Sequence, residues 1–343
     1  MELTLRQKAI LAEIVKLHIA GGEPIGSKLL CEVLSDAPSS ATLRNEMSTL
    51  CLLGLLEQPH TSAGRIPTAA GYKMYIESLM NENKASEEIR RYIDEALESA
   101  ESDPEKLPEY AGKALNNITG LPVLAADISL HGPKIKRVEL LPLGSNVAMM
   151  VLITSDGKTR SRLCHSDKPI SRHIIHSFNS VAEKKVLGRF TSDLSPAYMQ
   201  NAILEYGIES FTLMPLFSAL NSMIKDIEQS AVSIVGQSTL FGSSFETREA
   251  EKIISLINKR ETLMSLFNGD NLTGVVFGGE TQFSALKPSS IVFAKYNAGN
   301  NSQGCIGVIG PMRMSYEQII PSIEYTAKRM NELLSNALCS MEE

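Results

Sequence analysis

The sequence predicts an α+β multidomain chain, and three observations carry that expectation. Residues 4–80 repeat their apolar positions with helical periodicity between short turns. Strand-like runs bounded by Gly-Pro, Gly-Ser and Asp-Gly dipeptides begin at 123. Those strands stop near 165, about 100 mostly helical residues follow, and strands resume at 273.

A first helix over about 4–20 carries Ile10, Leu11, Ile14 and Leu17 on one face and ends at Gly21-Gly22. A second, short helix follows Pro24 and spans Ile25 to Leu34. After Pro38, either Ser39 or Ser40 can cap a third helix over Ala41 to Leu53. Three short helices joined by tight turns make a helix-turn-helix frame. Beyond Gly54, Leu55-Leu56-Glu57 and the following Gln58 to Pro67 read as two short strands closed by a small polar loop, with Arg65 expected near the loop tip. Thr68 is placed to cap a fourth helix. This pattern over 1–80 is that of a winged helix-turn-helix.

A thin apolar stripe, Ile89, Ile93, Ala96, Leu97 and Ala100, makes 81–103 an amphipathic connecting helix or linker. Strands are expected at 123–129, 137–143, 146–155 and 159–165, and again at 273–279, 289–297 and 305–311. Between them one short strand-like run, Val232 to Val235, interrupts the helical stretch. A last helix starts at Ser315, where Ser315 and Gln318 form a capping-box pattern, and runs to about 338. The expected division is therefore 1–80, a connector at 81–103, one sheet domain in two segments at 104–170 and 271–343, and an inserted, mostly helical domain at 171–270.

Composition narrows the function classes. The 343 residues are 43% apolar and 21% charged, ample for buried cores, and the formal charge is −6. That balance excludes a protein that holds nucleic acid by bulk positive charge, and leaves room for a local basic surface. MELTLRQKAI lacks the apolar run of a signal peptide, and no segment is apolar enough for a membrane span, so a soluble, cytoplasmic protein is expected. Five scattered cysteines form no C-x-x-C pair, which supports reduced thiols and neither a disulfide framework nor a zinc site. His165, His173 and His176 near Cys164 lack the further ligand and shielding shell that a metal needs. No cofactor is expected, and no Ser/His/Asp or Cys/His set carries a catalytic signature.

The third helix supplies the candidate chemistry. At 100° per residue, Leu43, Met47 and Leu50 share the buried stripe, and Ala41, Asn45 and Ser48 face outward, flanked by Arg44 and Thr49. Arginine can fork onto guanine O6 and N7, and asparagine onto adenine N6 and N7. The candidate DNA contacts are Lys28, Ser39, Ser40, Thr42, Arg44, Asn45, Ser48, His60, Ser62 and Arg65. Residues 1–80 hold seven Lys or Arg against eight Asp or Glu, so binding must rest on where the cations sit.

Several of these segments resemble the heat-inducible transcription repressor HrcA family. Gly22 to Lys28 (GEPIGSK) is similar to its GEPxGS segment, and Ser39 to Asn45 (SSATLRN) to its SSATIRN recognition-helix signature. Gly54 to Thr68 resembles its wing, and Ile306 to Pro311 with Arg313, Met314 and Tyr316 is similar to its C-terminal part. His18 stands where the family often has tyrosine, and reads as a packing residue. Gly278-Gly279-Glu280-Thr281 replaces a more usual Gly-Glu-Glu-Asn-like turn.

The resemblance implies three parts: a winged helix-turn-helix, a GAF-like domain and an inserted dimerising domain. It implies a homodimer that represses chaperone operons (GroE and DnaK) by binding double-stranded DNA at an inverted repeat called CIRCE, under control of the GroE chaperonin. The alternative is a winged-helix repressor switched by a small-molecule ligand of its GAF-like domain. Gly304 to Gly310 is glycine-rich but lies in a strand without the strand-turn-helix setting of a dinucleotide site, so its glycines read as close packing or a bulge.

Overall fold

In a computed structural model, the described residues are 3–34, 38–61, 63–80, 84–100, 106–127, 132–204, 207, 210–229, 232–241, 245, 247–267, 272–299 and 302–342. The first helix, α1 (Leu5–Gly21), starts in a capping box: the Thr4 hydroxyl accepts from Gln7 N, and the Gln7 carboxamide accepts from Thr4 N. Next come α2 (Ser27–Val33) and α3 (Ser40–Leu52), the latter capped by the Ser39 hydroxyl through Thr42 N. The strands β1 (Leu56–Glu57) and β2 (Ile66–Pro67) pair antiparallel as a wing. Thr68 caps α4 (Ala69–Met74), which runs on into a π-helical turn, Tyr75–Leu79. Ile10, Leu11 and Ile14, Leu30, and the expected stripe Leu43, Met47 and Leu50 are buried together.

The rest of the chain builds two further cores. A five-stranded antiparallel sheet has the order β7-β3-β10-β9-β8, formed by β3 (Val123–Asp127), β7 (Val232–Val235), β8 (Thr273–Phe277), β9 (Ser289–Gly299) and β10 (Ser302–Pro311). One face packs on α5 (Glu87–Glu98), α6 (Leu107–Thr119) and α12 (Tyr316–Glu342), burying Ile93, Leu97, Leu115, Val308 and Ile323. The other face packs on α10 (Thr247–Ile257) and α11 (Arg260–Leu266) through Ile253, Ile257 and Leu263 against Leu124, Ile291 and Ile309. A separate three-stranded sheet, β4 (Ile135–Pro142), β5 (Val147–Thr154) and β6 (Thr159–His165), is backed by α7 (Arg172–Lys185), α8 (Pro196–Leu204) and α9 (Ser210–Gln229). Its core includes Leu140, Met150, Leu152, Phe178, Phe217 and Leu220.

This pairing corrects the expected boundaries. Segment 104–170 does not join 271–343 as a block, because the strands at 135–165 pair with one another and leave the main sheet to β3 alone. The excursion from the main sheet starts after β3 and ends before β7, and α10 and α11 cover the main sheet instead of belonging to the excursion. Turn dipeptides specify hairpins but not the sheet that a hairpin joins. The run Val232–Val235, expected inside the helical insertion, pairs as Val123↔Val235 through Ala126↔Val232. The expected linker is also more than a connector. Ile93 and Leu97 of α5 are fully buried, and Asp94 receives bonds from Tyr325 Oη (2.8 Å) and Arg329 Nε (2.7 Å) of α12.

The glycines of β10 serve close packing, as read. A Cβ on Gly304 would lie 2.2 Å from the Tyr296 ring, and one on Gly307 would lie 2.9 Å from the Val292 carbonyl. The N-terminal unit is seated on the main sheet by aromatic residues. The Tyr72 ring lies 6.3 Å from Phe277 and 5.9 Å from Tyr316. His18 Nδ1 is 2.7 Å from the Tyr72 hydroxyl, and Tyr75 Oη donates to Glu317 Oε1 at 2.5 Å. Burial, with Arg313 adding to it, lowers the His18 imidazole, and burial pushes the Tyr72 phenol up, so both are neutral at pH 7.

Candidate nucleic-acid interface

Helix α3 presents the outward face that its periodicity implies. Arg44 and Asn45 are exposed, and Ser48 is half-buried with its hydroxyl donating to the Arg44 carbonyl at 2.9 Å. Thr42 is half-buried and shares its hydroxyl with the Ser39 cap at 3.0 Å. Ser40 bonds the buried Ser27 hydroxyl at 2.9 Å, which ties the start of α3 to the start of α2. The acidic member of α3 is drawn backward: Glu46 accepts from Gln7 Nε2 at 3.0 Å and lies 3.9 Å from Arg6. That placement draws its carboxylate back toward α1.

Lys28, Arg44 and Arg65 line one cleft of about 580 Å³ between α2, α3 and the wing. Among the described residues, none of the three is in an ion pair. Gly26, Ser27, Gln58, Thr61 and Gly64 complete much of the wall. Asn45, Ser48 and Ser39 stand on the neighbouring helix face and outside this cleft. His60 is exposed on the wing loop, and Ser62 lies outside the described residues.

Arg65 corrects the expected geometry. It sits at the base of the wing, where its backbone exchanges two 2.9 Å hydrogen bonds with Ile25, and not near the loop tip. Its guanidinium folds back, Nη1 donating to the Ala63 and Gly64 carbonyls at 3.4 and 3.3 Å, and Nε is buried without a partner among the described residues. The Ile25–Arg65 bridge requires glycine at 64, because a Cβ there would lie 2.4 Å from the Ile25 carbonyl. Two contributors were missed in the sequence: Thr61, and Gln58, whose carboxamide bonds the Thr61 and Ala63 carbonyls and fixes the loop. A glutamine just before a Pro-containing polar loop was the available signal.

Among the described residues, no group of His, Cys, Asp and Glu could hold a metal, and no helix is long and apolar enough to cross a membrane. Two family models match the chain: the HrcA DNA-binding winged helix-turn-helix transcription repressor model over residues 2–81, and the HrcA protein C-terminal domain over 105–320. The heat-inducible transcription repressor HrcA of Thermoanaerobacter sp. (strain X514) is 30% identical over 339 residues, covering 98% of each chain. That of Acholeplasma laidlawii (strain PG-8A) is 30% identical over 346 residues, covering 96% of this chain and 97% of the relative. A crystal structure described only as a hypothetical protein shares the fold with a TM-score of 0.61 at 23% identity, covering 98% of this chain and 99% of that one. With one model over the winged helix, another over most of the remainder and relatives matched end to end, the chain belongs to the heat-inducible transcription repressor HrcA family, DNA-binding regulators and not enzymes.

Proposed function

We propose that this chain represses heat-shock chaperone operons (GroE and DnaK) by binding the CIRCE inverted repeat as a homodimer, in the bacterial cytoplasm. The observation that carries the reading is the cleft in which Lys28, Arg44 and Arg65 meet beside the exposed Arg44–Asn45 face. In this reading α3 lies in the major groove, Arg44 and Asn45 contact base edges, and Lys28, His60 and the hydroxyls of Ser39, Ser40, Thr42, Ser48 and Ser62 contact backbone or neighbouring bases. A buried, unpaired Nε costs Arg65 about 1–3 kcal/mol, which favours its guanidinium swinging out to a phosphate.

Support for the dimer comes from the outer face of the three-stranded sheet. Leu141, Met149 and Leu163 lie side by side across β4, β5 and β6, with Val147, Val151 and Ile153 along β5. Leu141 is 43% and Leu163 55% exposed, an apolar patch that a second copy would cover. This module then serves as the dimerising domain, and the five-stranded sheet with its helices as the GAF-like one.

Control by the GroE chaperonin is the remaining part of the reading, resting on family membership. In gel shifts, the purified protein is expected to retard a CIRCE duplex at concentrations that leave a scrambled duplex free. Warming is expected to abolish the shift, and added chaperonin to restore it. Equal retardation of the two duplexes would sink the operator assignment; a shift indifferent to warming and chaperonin would sink the regulatory one.

A further inference from the structure

We propose that the free edge of β8 is a docking groove for an extended polypeptide segment with an apolar middle and basic flanks. A cleft of about 470 Å³ is lined by all five residues of β8, Thr273 through Phe277. Successive strand residues point to opposite faces, so a cleft that touches every one of them runs along the strand's edge. Ile76 and Ile320 form one wall and Leu266 and Phe267 the other. Residues from the helix layers on both faces thus flank the edge of the last strand and leave a slot along it.

The ladder shows which backbone groups face that slot. Lys295 N donates to Leu272 O, which makes 272/295 a hydrogen-bonded pair in an antiparallel register where Thr273 faces Ala294. Alternation then turns the amides and carbonyls of Thr273, Val275 and Phe277 away from β9 and into the slot. Among the described residues, no backbone group bonds those of Thr273 and Val275, while the Phe277 carbonyl opens the 3-10 turn Gly278–Glu280. Outward donors and acceptors at every second residue, between apolar walls, match the repeat of an extended chain adding as a sixth strand. Charge favours a basic occupant: Glu77 and Glu324 line the cleft, and Lys73, the lysine lining it, is 3.7 Å from Glu280. Phe277 also stacks on Tyr72, so an occupant lies against the seat of the DNA-binding unit.

The test uses the full-length protein and a short fluorescent peptide alternating valine and threonine, with lysine at both ends. Anisotropy is expected to show saturable binding, and hydrogen exchange to slow at Thr273, Val275 and Phe277. The same peptide with alternate backbone nitrogens methylated is expected to bind about tenfold more weakly or worse, as lost strand hydrogen bonds require. Val275→Pro removes an outward donor without touching the β8–β9 ladder, and is expected to weaken the unmodified peptide while leaving the melting temperature nearly unchanged. If that variant misfolds, the methylated-peptide comparison on the wild-type protein decides. Absence of saturable binding, equal binding of the methylated peptide, or protection confined to other strands would each overturn the proposal.

Discussion

Arg44→Ala is expected to strip the protein of most of its preference for operator over scrambled duplex while leaving weak, salt-sensitive binding in place. Arg44 is exposed on α3, and its side chain has no ion-pair partner among the described residues, so truncation leaves no buried charge behind. Alanine is the better helix former, which keeps α3 intact. A forked arginine–guanine contact discriminates by about 1–3 kcal/mol, and a dimer makes it twice. The expected loss of operator-to-scramble ratio is therefore about 30-fold to 10⁴-fold. Lys28→Ala serves as the contrast: losing a phosphate contact weakens both duplexes alike and flattens the salt dependence. Equilibrium titration of both duplexes checks this, and a wild-type ratio in Arg44→Ala would remove Arg44 from base reading.

A single acidic residue on the outer sheet face is expected to split the proposed dimer. Leu163 stands beside Met149, which in turn faces Leu141, whereas its neighbour Cys164 points into the module's core. Leu163→Asp therefore places a charge in the apolar patch without disturbing the buried side, where Leu152, Phe178 and Phe217 pack. Sedimentation of the wild-type protein is expected to give about twice the 37.4 kDa chain mass, and the variant about one chain mass. Two linked DNA-reading units gain about 10²- to 10⁴-fold over one, so operator affinity falls by a similar factor. A variant that stays dimeric with wild-type affinity would place the dimer contact elsewhere.

Much of the DNA-binding unit was legible because its signals are local. The Ser39 cap, the 3.6-residue stripe of Leu43, Met47 and Leu50, and Thr68 before α4 each act within a few residues of one another. Arg65 was misplaced because its position is set by pairing with Ile25, forty residues earlier in the chain. The cleft was only half visible for the same reason: Gln58 and Thr61 enter it through a loop conformation that no periodicity encodes. α6 escaped notice because its buried face is built from Leu107, Ala111, Gly112, Ala114 and Leu115, and such small residues leave a faint stripe. The sequence marks β4–β6 as strands but not the sheet they join, since membership is decided by α7–α9 packing on them. His18 was read as a packing residue; its bond to Tyr72 across the seat of the DNA-binding unit depends on a neighbour 54 positions away.

The central claim is that two copies of α3 read two half-sites of one inverted repeat. Titration of three duplexes at one fixed salt concentration tests it most directly: the complete CIRCE repeat, a duplex with one half scrambled, and a fully scrambled duplex. Tight binding of the complete repeat with two chains bound is expected, with much weaker binding of the single half-site and only salt-sensitive background on the scramble. Equal affinity for the complete repeat and the single half-site, or for all three duplexes, would contradict it.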